Sequence, residues 1–178
     1  MFDVFEYYNV PEEEKKYIEL KLQEFNNNEK FVETNNFVQH GFFSVYDHSI
    51  NVARLSLKIA NTINFKTINK NKLIRGALLH DYFLYDWHSN NDTKEEKKMK
   101  RLHASTHPKR ALKNALKDYE LSGRERNIIE SHMFPINPSI PPKCKEAWIV
   151  CFADKVCSLN ETYLGFIYKL VGKIPKNN

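Results

Sequence analysis

Apolar residues recur at helical spacing along most of this chain, and that pattern limits the folds the chain can adopt. The 178 residues include only five glycines, and there is no internal repeat or long Pro/Gly/Ser linker. With 42% hydrophobic residues, the chain is long enough for one domain with a hydrophobic core. The sequence therefore predicts one all-α domain, built as a helical bundle.

Local signals indicate where the helices begin. Pro11 precedes a first helix with Ile18, Leu22 and Phe25 on its inner face. A helix is expected to start at His107-Pro108, with His107 as its cap, and "SGRE" at 122–125 is typical of a capping box. Further helices are expected at about 47–61, 70–85, 144–160 and 161–171, with loops at 88–101 and at "FPINPSIPP".

The net charge of +5, from 27 basic and 22 acidic residues, is modest and consistent with an anionic substrate. No basic stripe is interleaved with aromatic residues, so nucleic-acid binding is only a weak alternative. No segment is long and apolar enough to span a bilayer, and the acidic start "MFDVFEYYNVPEEEKK" differs from a secretory signal. The chain is therefore predicted to be cytoplasmic, with three cysteines acting as small hydrophobes (Cys144, Cys151 and Cys157).

Several polar residues interrupt the apolar faces of these helices. Asp154, for example, ends the apolar run "AWIVCFAD". Residues 127–178 contain no arginine that could pair with it, and Lys155 is expected to point elsewhere. The complete set consists of His48, His80, Asp81, His107, His132 and Asp154. Taken singly, such a histidine is more often a hydrogen-bonded core residue than a ligand, and such an aspartate is more often a cap or half of an ion pair. Together, histidines and carboxylates converging from several helices favour a metal site.

The side-chain types narrow the choice of metal. Four imidazoles with two carboxylates suit Fe, Mn, Zn, Co or Ni, whereas Mg and Ca prefer oxygen ligands only. Six ligands are too many for one catalytic ion that must keep open positions. They suit two ions about 3.5–4 Å apart with one bridging carboxylate. His80 and Asp81 would diverge by roughly 100° around one helix and could approach an ion from neighbouring directions.

The ordered set H…HD…H…H…D resembles the HD-domain superfamily of metal-dependent phosphohydrolases, in its dinuclear form. The motifs are "YDHSINVA", "LLHD", "THPKRAL", "IIESHM" and "CFADKV". The resemblance implies an HD-type metal-binding core at 41–160, between an N-terminal helical extension at 1–40 and a C-terminal helix and tail at 161–178. It also implies a helical bundle around a central metal site. In that family pattern His48, His80, Asp81 and Asp154 match the ligands of mononuclear members, Asp81 matches the bridging carboxylate, and His107 and His132 match the ligands of a second ion.

The resemblance implies hydrolysis of a phosphate ester, in a nucleotide or another small molecule, by a water that the metal ions activate. Lys155 and His103 could contact the phosphate or donate a proton, with idle surface positions as the alternative for each. Trp87 and His88 could wall the pocket or lie at the surface, and His40 is expected to be structural or exposed. If His107 and His132 lie far from His80, the dinuclear hypothesis fails.

The sequence differs in two places from one branch of the superfamily, and two other functions are alternatives to phosphate-ester hydrolysis. Cyclic-dinucleotide phosphodiesterases of this superfamily read HD-I-G-K and carry a later GYP triplet. Here "YFLYD" follows the doublet, Leu84 stands in place of that lysine, and GYP is absent, which argues against this substrate. The alternatives are a mixed-valent di-iron oxygenase and a non-catalytic module that binds nucleotides or signals. The substrate, the native metal and the oligomeric state remain open.

Overall fold

Helices make up most of the described part of the chain. The computed structural model describes residues 9–63, 67–87 and 103–171, with side chains from residue 105 onward in the last range. Within these ranges one two-stranded hairpin accompanies seven α-helices, which confirms the all-α prediction. The elements are α1 (Glu12–Asn26), α2 (Glu29–Glu33), β1 (Val38–His40), β2 (Phe43–Ser44), α3 (Val45–Ile63), α4 (Lys70–Leu79), α5 (His103–Asp118), α6 (Gly123–Ser131) and α7 (Lys145–Val171), with a 3₁₀ turn at Thr34–Asn36.

Several helix starts follow the local signals of the sequence. Pro11 is the N-cap of α1, and the predicted inner residues Ile18 and Phe25 are buried. At α6, the Ser122 side chain accepts from the backbone of Glu125, and the Glu125 side chain accepts from the backbone of Ser122. This reciprocal pair satisfies amide donors that a helix start would otherwise leave without partners.

Helix α4 ends at Leu79, so the prediction of a helix to residue 85 was wrong. His80 is the C-cap, and the next residues form a turn in which the Phe83 amide donates to the Asp81 carbonyl at 2.8 Å. Leu84 has φ of 58°, in the left-handed region, which cannot continue a right-handed helix. His80 thus keeps helical backbone angles as the C-cap, and Asp81 lies in the turn that follows the helix.

Two other helix boundaries differ from prediction. Helix α5 begins at His103, so His107 is not a cap and Pro108 lies inside the helix. Proline there removes one amide donor, a loss that the nearly three further helical turns to Asp118 can outweigh. The helices expected at 144–160 and 161–171 form one continuous helix, α7, because no proline interrupts the apolar pattern across that boundary.

A close contact between two glycines fixes the hairpin on α7. Gly41, with φ of 63°, forms the turn, and a Cβ at Gly165 would lie 2.4 Å from the Gly41 Cα. Only glycine at both positions allows the two backbones to approach this closely. The contact holds β1, with Gln39 and His40, beside the region where α3 and α7 pack together.

The core lies where α3 contacts α4 and α7, and where α6 packs on α4 and α7. Leu57, Leu73 and Ile128 are fully buried there. The cysteines are free, with Cys151 and Cys157 buried and Cys144 half-buried, as expected of small hydrophobes. Among the described helices, none has the length and hydropathy needed to cross a membrane.

Candidate metal centre

The six polar residues singled out by the sequence meet in one buried cluster. They come from five segments: the first turn of α3, the turn after α4, the second turn of α5, the residue after α6, and the middle of α7. Each has at most 5% of its surface exposed. The imidazole rings of His80 and His132 have centroids 4.9 Å apart, as do those of His107 and His132. His107 and His132 therefore lie in the same cluster as His80, so the separation that would have excluded a dinuclear site is absent from it.

The two carboxylate oxygens of Asp81 face different pairs of histidines. Oδ1 lies 3.2 Å from Nε2 of His107 and 3.4 Å from Nε2 of His132. Oδ2 lies 3.4 Å from Nε2 of His80 and 3.9 Å from Nε2 of His48. Asp81 thus lies at the middle of the cluster, with one oxygen toward each half.

Asp154 approaches the half of the cluster that contains His48 and His80. Its Oδ1 lies 3.2 Å from Nε2 of His48 and 3.7 Å from Nε2 of His80. The sequence led us to expect Lys155 to point away from Asp154, and that expectation was wrong. Its Nζ donates to Asp154 Oδ2 at 3.1 Å and to the His132 carbonyl. Ser158 donates to Oδ1 of Asp154 at 3.3 Å. Lys155 therefore holds the oxygen that does not face the histidines, and Ser158 donates to the one that does.

Three of the histidines are held so that Nε2 faces the cluster. Nδ1 of His80 donates to the Ala77 carbonyl at 2.7 Å, and Nδ1 of His132 donates to the Ile129 carbonyl at 2.8 Å. Nδ1 of His48 lies 2.7 Å from Oε2 of Glu161. Because carbonyl and carboxylate oxygens accept, each Nδ1 carries the proton. In the neutral tautomer Nε2 then has its lone pair directed at the cluster, which is the arrangement that metal-binding histidines adopt.

Burial and the neighbouring basic side chains act in opposite directions on the pKa values of the two carboxyl groups. Burial would raise the pKa of the Asp81 carboxyl, but the imidazoles of His80, His107 and His132 lower it well below its usual value. The pKa of Asp154 is also lowered well below its usual value, since His48, His80 and Lys155 outweigh burial. Both carboxylates are therefore ionised at neutral pH, as ligands of a cation must be.

The pKa values of the histidines depend on their burial and on the nearby carboxylates. Burial disfavours the imidazolium of His48, but Glu161 and Asp154 raise its pKa well above the usual value. Burial lowers the pKa of His132 to about 4, against the effect of Asp81, so this ring is neutral near pH 7. Buried anionic carboxylates beside imidazoles thus need positive charge, from protons on histidine or from a bound cation.

The donor atoms fit a metal ion. Three overlapping groups each bring ligand atoms within 4.8 Å of one another: His48 with His80 and Asp81, His80 with His132 and Asp154, and Asp81 with His107 and His132. Nε2 of His80 and Oδ1 of Asp81 are buried and make no well-formed hydrogen bond among the described residues. Leaving such atoms without partners costs free energy, and coordination of a cation would remove that cost.

Sequence analysis missed a second layer of buried polar residues. Glu161, which is fully buried, accepts from His48 and from Nδ2 of Asn51 at 2.9 Å. Its position seven residues after Asp154, on the same face of a helix, could have revealed it. Gln39 donates to Asp81 Oδ2 at 2.5 Å and accepts from the Trp87 indole at 3.0 Å. Gln39 lies in the hairpin, and no helical spacing connects it to the other site residues.

The remaining predicted residues have mixed outcomes. His40 is half-buried, with its ring centroid 5.1 Å from that of His48, and burial lowers its pKa to about 4. Trp87 is part-buried beside the cluster. The His103 backbone begins α5, but its side chain, like His88 and the loop predicted at 88–101, lies outside the described residues.

Comparison with known families agrees with this geometry. The family model of the HD domain matches residues 45–159, which is more than half of the chain. This chain belongs to the HD domain family. HD domains are in general metal-dependent hydrolases that bind divalent metals, and the matched segment contains all six clustered histidines and aspartates. Comparisons with curated proteins and with solved structures gave no match.

Proposed function

We propose that this HD domain is a phosphohydrolase that holds two divalent transition-metal ions, among Fe, Mn, Zn, Co and Ni, and cleaves a phosphate monoester or diester. The substrate would be a nucleotide or another small phosphate ester. His48, His80 and Asp154 would bind one ion, His107 and His132 the other, and Asp81 both. Ions bound at these positions would act as Lewis acids toward phosphate and lower the pKa of water.

One observation carries this proposal: the two oxygens of Asp81 face separate histidine pairs at 3.2 to 3.9 Å. A carboxylate so placed has one donor atom for each of two cations. The ligand types support the range of metals, because imidazole and carboxylate without thiolate suit these divalent transition metals. The described cysteines nearest the cluster in sequence, Cys151 and Cys157, contribute to none of the three ligand groups.

The protein's own groups would orient the ligands and hold positive charge near the substrate. Lys155 ties Asp154 to the backbone of His132 and so links α7 to the end of α6. Its ammonium, with 27% of the side chain exposed, would also be available to a phosphate oxygen. His103 remains a predicted phosphate contact or proton donor on the basis of its sequence position, four residues before His107.

The family match at residues 45–159 supports the proposed division of the chain. It falls inside the predicted core at 41–160, with an N-terminal extension at 1–40 and a C-terminal helix and tail at 161–178. A cytoplasmic location is part of the proposal, and the odd number of cysteines without a C-x-x-C pair supports it.

The test combines metal analysis with turnover. The full chain is purified without oxygen, its metals are measured by mass spectrometry, and phosphate release is followed on a panel of nucleotides and simple phosphate esters. We expect about two metal ions per chain and metal-dependent hydrolysis. Asp81→Asn should abolish both, whereas Asp86→Asn, an exposed aspartate in the same segment, should preserve both.

Two outcomes would contradict the proposal. Bound iron with oxygen-dependent turnover and no phosphate release would assign the site to an oxygenase. A chain with neither metal nor turnover, but with nucleotide affinity, would assign it to a binding module.

A further inference from the structure

The outer face of α7 carries a regular row of exposed apolar side chains. Phe152, Val156, Leu159, Tyr163, Phe166 and Leu170 are separated alternately by four and three residues. Five of them are at least 60% exposed, and Val156 is half-buried between them. The row extends over about 27 Å of helix at 1.5 Å per residue. We call it the α7 stripe.

The spacing of the α7 stripe is that of a helix–helix contact. Alternating steps of three and four residues give the heptad pattern, in which apolar side chains fit between those of a second helix. The inner face of α7 satisfies its own contacts, because Cys157, Glu161 and Gly165 face the core and the hairpin. The stripe is therefore a second apolar face on a helix whose first face is already packed.

The flanks of the stripe carry almost no charge. Between Lys155 and Lys169 the sequence has one charged residue, Glu161, and that side chain is fully buried. Such depletion of charge marks the centre of protein interfaces. A lipid surface would favour lysine and arginine along the flanks, and residues 156–168 contain neither.

The area of the stripe is comparable to that of one side of a dimer. Large aromatic and aliphatic residues at this exposure leave on the order of 600 Å² of apolar surface on one helix. Contiguous patches of that size are at the upper limit for monomers, while a stable interface covers about 800 Å² per partner. Trp148, one turn earlier and 50% exposed, would extend the patch.

We infer that the α7 stripe is the contact surface between two copies of this chain, related by a two-fold axis. A two-fold interface pairs one surface with itself, so a self-complementary heptad row supplies both sides. No other segment among the described residues has such a row, since Leu20, Val32, Ile63 and Leu116 are exposed singly. The inference is independent of the proposed function, because the test measures mass rather than turnover.

Sedimentation equilibrium of the full chain at several concentrations tests the inference. The wild type should have twice the 21.1 kDa chain mass. Leu159→Glu and, separately, Phe166→Glu should weaken the dimer by about 100-fold or more, because each charge is introduced twice at the centre of the contact. Circular dichroism should show unchanged helix content, since both side chains are exposed.

Leu20→Glu is the matched control. Leu20 is 62% exposed on α1, and its replacement should leave the dimer intact. A wild-type chain that is monomeric at every concentration would overturn the inference. A dimer that persists unchanged in both Leu159→Glu and Phe166→Glu would also overturn it, because the contact would then lie elsewhere.

Discussion

Oε2 of Glu161 lies 2.7 Å from Nδ1 of His48, and both side chains are fully buried. The two residues are separated by 113 positions in the sequence, and they join α7 to the start of α3. A carboxylate behind a histidine fixes the ring orientation and makes Nε2 a stronger ligand. Asn51 in turn donates to Glu161 and holds the carboxylate in place.

Replacement of Glu161 by glutamine should weaken metal binding by about 10- to 100-fold. Glutamine keeps the volume but removes the charge that supports the His48 N–H. Affinity is measured by competition with a chelating dye. Glu19→Gln, an exposed position on α1, should bind metal as the wild type does. An unchanged affinity in Glu161→Gln would show that this carboxylate does not support a ligand.

Replacement of Gln39 by leucine should lower kcat by about 10-fold and leave KM nearly unchanged. The change removes the donor to Oδ2 of Asp81, so the carboxylate can rotate away from its two histidine pairs. Trp87→Phe, which removes the indole donor to Gln39, should act in the same direction but less strongly. Steady-state kinetics of the single and double variants provide the measurement.

The double variant should be little worse than Gln39→Leu alone, because both changes interrupt one chain of hydrogen bonds. Gln23→Leu, at an exposed position, is the matched control. Additive losses would mean that Trp87 acts separately from Gln39.

The ion pair between Arg75 and Glu125 should make the free energy of unfolding depend on pH in the acid range. The two side chains are 2.7 Å apart and largely buried. Burial would raise the pKa of Glu125, but Ser122 and Arg75 lower it below the usual 4.5. A carboxyl with a lowered pKa in the folded state stabilises the fold above its unfolded pKa. That contribution is lost as the pH falls below 4.5 toward the folded pKa.

Glu125→Gln should therefore lower the free energy of unfolding at pH 7 by about 1–3 kcal/mol, and the difference from wild type should shrink in acid. Urea denaturation of the metal-free protein between about pH 7 and about pH 3 measures both effects. Glu19→Gln should follow the wild type throughout. A constant difference at every pH would mean that Glu125 contributes by packing and not by charge.

Gly165→Ala should destabilise the fold, because the new Cβ would lie 2.4 Å from the Gly41 Cα. The backbones of the hairpin and α7 must then separate, and we expect a loss of about 1–3 kcal/mol. Thermal unfolding followed by circular dichroism measures it.

Gly123→Ala offers the matched control, since nothing lies within 4 Å of a Cβ at that position. Alanine there should raise the free energy of unfolding by about 0.4–1 kcal/mol through a smaller unfolded-state entropy. Equal stability of Gly165→Ala and wild type would show that the hairpin can move without loss.

The sequence alone determined the helical class and the residues of the cluster. Apolar spacing revealed the helices. Five of the polar side chains stood out against apolar runs, and His107 stood out at a helix start among small residues. These are local properties, since a helix places residues three and four apart on one side whatever surrounds it. The capping box at Ser122 and Glu125 was readable for the same reason.

The tertiary structure decided what depends on contacts between distant segments. Helix α4 ends at Leu79 because the following residues form a turn, and Asp81 lies in that turn. Glu161 and Gln39 support His48 and Asp81 from 113 and 42 positions away. No periodicity encodes such pairs, because their spacing is set by how the hairpin and α7 pack through Gly41 and Gly165.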